Sequence, residues 1–186
     1  MACVPPRLKG KKIALLAATG IYEHEFWVPY YRLREEGANV IVCGPQKDTV
    51  YRGEGRHGKD GLDLARTDAA IDEMNADELD ALIVPGGIHG PMALRRHEPA
   101  LALVRAMDER KKIIASICHG PWVLVSADIL RGRRATSPRD IEIDLRNAGA
   151  EWVNEQVVRD GNLITGVYYG YLPQFMRVVI DAIEGQ

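Results

Sequence analysis

The sequence predicts a single α/β domain built around a mostly parallel sheet covered by helices. Three observations indicate this class. Short apolar runs alternate with segments of helical periodicity along the chain. The length of 186 residues suits one domain with a full core. Apolar residues make up 46% and charged residues 27%, an ordinary globular balance. Residues 11–186 are therefore expected to form one domain, and residues 1–10 a disordered N-terminus.

The first half of the chain alternates strands and helices. Apolar runs predict buried strands, and a helical pattern that stops at Gly37 predicts a helix between the first two of them. The stretch 44–62 is rich in glycine and charge, which predicts a flexible loop or exposed hairpin. The predicted strands of this half are 13–18, 39–43 and 80–84, and the predicted helix is 24–37.

The second half begins with a predicted helix over 98–110 and the most apolar strand, 112–117. Asp160 and Gly161 separate two short β-patterned runs and predict a hairpin. In open sheets of this kind, sites lie beyond the carboxyl ends of the strands. Here that position belongs to three loops, 19–25, 85–91 and 118–121. The remaining predicted helices are 122–127, 140–148 and 172–184.

The bulk properties exclude several classes of protein. The formal net charge is −2 and the basic residues are scattered, which favours neither a nucleic-acid nor a membrane surface. No apolar run is long enough for a signal peptide or a membrane span. The three cysteines are far apart, which predicts no disulfide framework and a cytoplasmic location.

Cys118 stands at a predicted strand-to-helix elbow, where a side chain is exposed at the end of a sheet. The following helix N-terminus should favour the thiolate and lower the pKa of the thiol. The alternative is a buried, inert cysteine. Cys43 has apolar neighbours and is interpreted as core, and Cys3 receives no role.

Two further loops face the same predicted edge. Glycines in the Pro-Gly-Gly turn that ends at Gly87 let backbone amides face a ligand, and with the amide of His119 they could stabilise an oxyanion. Either Glu23 or Glu25 could place a carboxyl against the cysteine, where its pKa would rise, and the residues alone do not choose between them. His89 lies on the expected rim of the site, and no histidine has metal-ligand spacing.

The chain resembles the ThiJ/PfpI superfamily, and most closely its PfpI-like intracellular protease and deglycase branch. Four stretches carry the resemblance: PYYRLREEG at 29–37, DALIVPGG at 80–87, ASICHGP at 115–121 and NAGAEW at 147–152. The likeness extends from about residue 11 to residue 183. It implies a flavodoxin-like three-layer sandwich with helices on both faces of the sheet and a nucleophile elbow at Cys118.

The resemblance also implies roles for particular residues. Family members place a glutamate four residues before a proline of the first helix, which is Pro29 here, so the match is Glu25. Oxyanion donors would be the amides of Gly87 and His119, with His119 next to the nucleophile. Relatives pair through surfaces near this turn, which implies a homo-oligomer, at least a dimer, as sedimentation would test.

The chain departs from the family at three places. The acid that completes the histidine comes from a neighbouring subunit in the protease-like branch, but Pro91 or Met92 occupies its position here. Pro138 replaces an expected tyrosine, and residues 166–171 (GVYYGY) replace a stretch with arginine and aspartate. These changes predict a more aromatic small-molecule pocket, with His89, Tyr22, Tyr168, Tyr169 and Tyr171 as its candidate residues.

Three functions compete at this stage. The first is a cysteine-dependent hydrolase, hydratase or glyoxalase-type enzyme that acts on a small electrophile through a covalent Cys118 adduct, with Glu25 moving protons. The second is a redox-sensing stress protein with an oxidisable Cys118. The third is an intracellular cysteine peptidase. None requires a cofactor or metal, and the expected partners are a small substrate and further copies of the chain.

Overall fold

The computed structural model describes residues 5–55 and 61–186, and its centre is a seven-stranded sheet. The strand order is β3-β2-β1-β4-β5-β9-β8, and only the pair of β8 and β9 is antiparallel. The predicted mostly parallel sheet is therefore confirmed. The bounds of these strands are β1 Lys12–Leu16, β2 Asn39–Gly44, β3 Ala69–Ala70, β4 Ala81–Val84, β5 Ile113–Ile117, β8 Val157–Asp160 and β9 Leu163–Gly166.

Helices cover both faces of this sheet, as the three-layer prediction requires. Helices α1 and α6 pack against each other, and α4 packs against both α2 and α3. A separate parallel pair, β6 (Arg134–Ala135) and β7 (Glu151–Trp152), lies outside the main sheet. The helices are α1 Glu23–Glu35, α2 His89–Leu94, α3 Glu98–Glu109, α4 Pro121–Ser126, α5 Glu142–Asn147 and α6 Leu172–Glu184. None of the helices in the described ranges is long and apolar enough to cross a bilayer.

Strands β1, β4 and β5 form the core of the sheet and position the site. Every residue of β4 and β5 is buried, because these continuous apolar runs have helices on both sides. The three strands are parallel and adjacent. Their carboxyl ends therefore lie at one edge of the sheet, and the loops that follow Leu16, Val84 and Ile117 converge there.

The segment before β1 contacts the rest of the domain. Residues 5–10 lie packed on the domain: Leu8 is fully buried, and its amide donates to the Glu36 carbonyl at 2.7 Å. Arg7 forms ion pairs with Asp181 and Glu184 of α6. These contacts join Arg7 and Leu8 to the domain, and the disorder expected for residues 1–10 stays a prediction. Residues 1–4 lie outside the described ranges.

The glycine-rich stretch after β2 folds back on itself. Arg52 and Asp63 form an antiparallel bridge, and the Gly53 amide donates to the Leu62 carbonyl at 2.8 Å. These described residues favour the hairpin alternative, and the flexibility of the stretch stays a prediction. Residues 56–60, which include His57, fall outside the described part of the chain. Strand β3 was not predicted from sequence, since two alanines carry no periodicity.

Candidate active site

The nucleophile turn lies directly after β5. Cys118 has a φ of 60°, a left-handed conformation that is uncommon for a residue with a side chain. Its amide donates to the Gly166 carbonyl of β9 at 2.9 Å, and α4 begins three residues later at Pro121. The side chain is held at the sheet edge by backbone geometry, as the elbow prediction requires. The other described cysteine, Cys43, is buried, and burial raises the pKa of its thiol to about 12.

Glu25, on the first turns of α1, is fully buried beside the nucleophile. Its Oε2 accepts a hydrogen bond from the Gly86 amide at 3.1 Å, and its carboxyl hydrogen-bonds the Cys118 side chain. A Cβ atom at Gly86 would lie 2.4 Å from Glu25 Oε2 and 2.5 Å from Cys118 Cβ. Because glycine has no side chain, the carboxyl and the sulfur can meet at this position.

Glu23 has a different role from Glu25. Its Oε1 accepts hydrogen bonds from the backbone amides of Gly55, at 3.0 Å, and Leu62, at 2.9 Å. Glu23 therefore joins the two sides of the loop after β2 and stabilises that loop against α1. The sequence left open whether Glu23 or Glu25 lies against the cysteine. In the structure it is Glu25 that contacts Cys118.

The thiol and the carboxyl share one buried site, which controls their charges. Burial raises the pKa of the Glu25 carboxyl to about 8. Burial, followed by the charge of Glu25, raises the pKa of the Cys118 thiol, whereas the backbone amides of Gly87 and His119 lower it. The expected lowering of the thiol pKa is therefore wrong, because desolvation outweighs the hydrogen bonds from the two backbone amides. The two groups titrate as a pair, and both hold their protons at neutral pH.

The predicted oxyanion donors lie at the sulfur. The backbone amides of Gly87 and His119 both hydrogen-bond it. Gly87 has a φ of +88°, and a Cβ atom there would lie 2.5 Å from the Gly20 carbonyl oxygen. Only glycine fits this turn, so the turn that presents the amide depends on Gly87. Two amides aimed at one point can stabilise negative charge that develops on a substrate oxygen there.

The imidazole of His119 contacts the sulfur from within the same turn. Its Nδ1 lies 3.2 Å from Cys118 Sγ, and its Nε2 lies 2.9 Å from Asp140 Oδ2. The position equivalent to the family's acid is not acidic, since Pro91 is buried and Met92 is exposed on α2. Sequence reasoning missed Asp140, because no motif links an aspartate of the segment before α5 to a histidine 21 residues earlier.

A cavity of about 710 Å³ opens above the nucleophile. Its lining includes four of the five predicted pocket residues: Tyr22, His89, Tyr168 and Tyr169. Tyr171 is not among the lining residues, and its ring packs on Tyr168 with centroids 4.9 Å apart, so its role in the pocket stays a prediction. The aromatic character predicted for the pocket is present, with Tyr22 and Tyr169 rings 5.2 Å apart.

Glu54 adds a second carboxyl to the cavity that sequence reasoning did not identify. Its Oε2 accepts from the Ile88 amide at 2.9 Å, and its Oε1 lies 3.5 Å from His89 Nδ1. Glu54 lies in the stretch interpreted as a loop, where no pattern distinguishes it from other surface acids. With burial, its charge helps to raise the pKa of Glu25.

The fold and the site together define an α/β protein with a cysteine elbow and a buried cysteine–carboxyl pair. Residues 11–182 match the DJ-1/PfpI family, and the chain belongs to this family. The deglycase TK1284 of Thermococcus kodakarensis is 41% identical over 173 residues, which are 93% of this chain and 99% of that protein. Protein/nucleic acid deglycase 2 of Escherichia coli is 38% identical over 168 residues, 90% of this chain and 94% of that protein.

A solved structure shows the same fold. It is a two-domain protein from Anabaena variabilis that contains DJ-1/ThiJ/PfpI-like and ferritin-like domains. It superposes with a TM-score of 0.86 and 36% identity over 92% of this chain. The present chain spans about half of that protein, 49% of its length.

Proposed function

We propose that this chain is a cysteine-dependent enzyme of the deglycase or glyoxalase type that acts on small α-oxoaldehydes, free or bound to an amine. The observation that carries the proposal is the buried pair of Glu25 and Cys118 beneath the amides of Gly87 and His119. Two relatives that match nearly the whole chain bear the name deglycase. The chemistry of the pair agrees with that name.

The first step is attack on the aldehyde carbon. His119 Nδ1, 3.2 Å from the sulfur, accepts the thiol proton, and the thiolate adds to the carbonyl. The carbonyl π-electrons move to oxygen, where the amides of Gly87 and His119 stabilise the negative charge. Glu25 holds a proton at neutral pH, since burial raises its pKa to about 8, and donates it to this oxygen. The product is a thiohemiacetal on Cys118.

The second step moves hydrogen within the bound substrate. The Glu25 carboxylate removes the hydrogen of the former aldehyde carbon as a proton, and the electron pair forms a double bond to the neighbouring carbon. The ketone oxygen takes the proton held by His119, which gives an enediol. Glu25 returns its proton to the second carbon, while the hydroxyl of the first carbon gives its proton to His119, which yields a thioester of a 2-hydroxy acid. The first carbon is oxidised and the second is reduced, so no external oxidant is needed. Water then hydrolyses the thioester, which releases the 2-hydroxy acid and restores the thiol.

In the hemiaminal of an amine and an α-oxoaldehyde, the carbon–nitrogen bond breaks with its electron pair on nitrogen, and the hydroxyl proton moves to the leaving amine. The aldehyde that remains enters the same route. The 710 Å³ cavity has room for the aldehyde together with part of the amine, and aromatic rings of Tyr22, Tyr168 and Tyr169 contribute to its walls. Removal of an aldehyde from an amine is what a deglycase does by name. The proposal thus includes both the free aldehyde and its amine adducts.

An amide hydrolase or peptidase is the second candidate function, and one observation favours it. Cys118, His119 and Asp140 form a chain of contacts at 3.2 Å and 2.9 Å, the arrangement in which a histidine activates a nucleophile. The Glu25 carboxyl has no required role in that reaction. The two candidates therefore differ in whether Glu25 is essential.

The proposal is tested by assaying wild type and Cys118→Ala with an α-oxoaldehyde and, in parallel, with peptide amides. We expect the wild type to form the 2-hydroxy acid and Cys118→Ala to lose turnover by several orders of magnitude, because the nucleophile is absent. Cleavage of peptides without conversion of the aldehyde would support the second candidate. Equal conversion by wild type and Cys118→Ala would contradict both.

A further inference from the structure

The two ring nitrogens of His119 have separate partners. Nδ1 lies 3.2 Å from Cys118 Sγ, and Nε2 lies 2.9 Å from Asp140 Oδ2. The histidine side chain is 11% exposed, whereas that of Asp140 is 65% exposed. The ring is thus largely enclosed by protein, whereas the carboxylate of Asp140 reaches solvent.

These contacts determine which nitrogen carries the proton. An ionised carboxylate only accepts hydrogen bonds, so Nε2 is the nitrogen that carries hydrogen in neutral His119. Nδ1 is then left with its lone pair directed at the thiol. In this tautomer the histidine can accept the proton of Cys118. In the other tautomer Nδ1 would carry hydrogen and could not accept the proton of Cys118.

The segment that holds Asp140 is fixed against α4. Asp140 lies in a 3-10 turn, Arg139–Ile141, directly before α5, and Ile141 of that turn is buried. One helical turn further, Asp144 Oδ2 accepts a hydrogen bond from Trp122 Nε1 of α4 at 2.7 Å. The Trp122 ring also packs edge-on against His119 with centroids 5.0 Å apart. Asp140 and Asp144 thus contact two neighbouring rings, those of His119 and Trp122.

We infer that Asp140 is a positioning residue that sets the tautomer and orientation of His119 and makes it the base for Cys118. Asp140 belongs to the same chain as His119, so the histidine has a carboxylate partner without a residue from a neighbouring subunit. The inference rests on the proposed function only where turnover is measured.

The test compares Asp140→Asn with Asp144→Asn as a matched control from the same segment, because the side-chain oxygen introduced by Asp144→Asn can still accept from Trp122 Nε1. The side-chain amide introduced by Asp140→Asn can donate to Nε2, which favours the wrong tautomer. We expect nitrogen NMR of His119 to show hydrogen on Nε2 in wild type and Asp144→Asn, and a shift toward Nδ1 in Asp140→Asn. We expect kcat of Asp140→Asn on an α-oxoaldehyde to fall by roughly 10²-fold with KM unchanged, and Asp140→Glu to recover part of it.

The outcomes separate this inference from the proposed function. An unchanged tautomer in Asp140→Asn, or equal losses in Asp140→Asn and Asp144→Asn, would overturn it. The NMR measurement and the rate of Cys118 labelling by iodoacetamide need no substrate turnover. They therefore decide the role of Asp140 even if the Cys118→Ala assay contradicts the proposed activity. Slower labelling in Asp140→Asn alone supports the inference, since it reports loss of the base.

Discussion

Replacing Glu25 with glutamine is expected to lower kcat on α-oxoaldehydes by about 10²–10⁴, the usual contribution of general acid–base catalysis. Glutamine retains an oxygen that can accept from the Gly86 amide, as Glu25 does at 3.1 Å. It cannot exchange protons with the substrate. Labelling of Cys118 by iodoacetamide should be kept or become faster, because the charge of Glu25 is one cause of the raised pKa of the thiol. Steady-state kinetics and labelling rates measure the two effects.

Glu23→Gln is the control for that variant. Glu23 lies two residues earlier, is also buried, and binds the loop amides of Gly55 and Leu62 rather than the sulfur. Its replacement should leave kcat within a few-fold of wild type. Loss of turnover in Glu23→Gln with full turnover in Glu25→Gln would contradict the assignment of the proton carrier. Full turnover of both variants on peptide amides would instead favour the peptidase.

The same carboxyl makes the stability of the domain depend on pH. Its pKa in the folded state is about 8, above the ordinary 4.5 that it regains on unfolding. The folded state thus keeps a proton that the unfolded state loses, and stability falls as pH rises from about 4.5 to about 8. A shift of this size corresponds to on the order of 5 kcal/mol. As pH rises from about 4.5 to about 8, the free energy of unfolding of the wild type should fall by about this much more than that of Glu25→Gln.

Urea denaturation of both proteins at the two ends of this pH range measures the difference. Other titrating groups are common to both proteins, so subtracting one pH dependence from the other isolates Glu25. Parallel pH dependences would show that the carboxyl is ionised in the folded state. The proton transfer assigned to Glu25 in the first step would then have no source.

The elbow was predictable because it depends on local sequence. A continuous apolar strand followed by Cys118, His119 and an early helix proline requires a sharp turn at one edge of the sheet. Local sequence did not select Glu25 as the partner of Cys118. Glu23 and Glu25 both lie at the start of α1 and both are buried, so neither position nor polarity distinguishes them. The resemblance to family members, through the spacing to Pro29, selected the residue that the structure brings to Cys118.

The remaining features depend on packing between distant segments. Asp140 reaches His119 from the turn before α5, 21 residues further along the chain, and sequence carries no signal for that contact. Tyr171 shares its segment with two pocket tyrosines, but its ring packs against Tyr168. The thiol pKa was predicted with the wrong sign, because the helix effect is visible in sequence whereas desolvation at the end of a buried sheet is not.

The covalent bond between Cys118 and the aldehyde carbon is best observed in the Glu25→Gln variant, where removal of the hydrogen from that carbon is blocked, while the amides of Gly87 and His119 still hold the oxygen and solvent can supply its proton. The variant is mixed with an α-oxoaldehyde that carries an isotope label at the aldehyde carbon, and carbon NMR follows that atom. The account predicts a protein-bound thiohemiacetal signal that is absent when Cys118 is also replaced by alanine. The same signal in both proteins, or none in either, would contradict it.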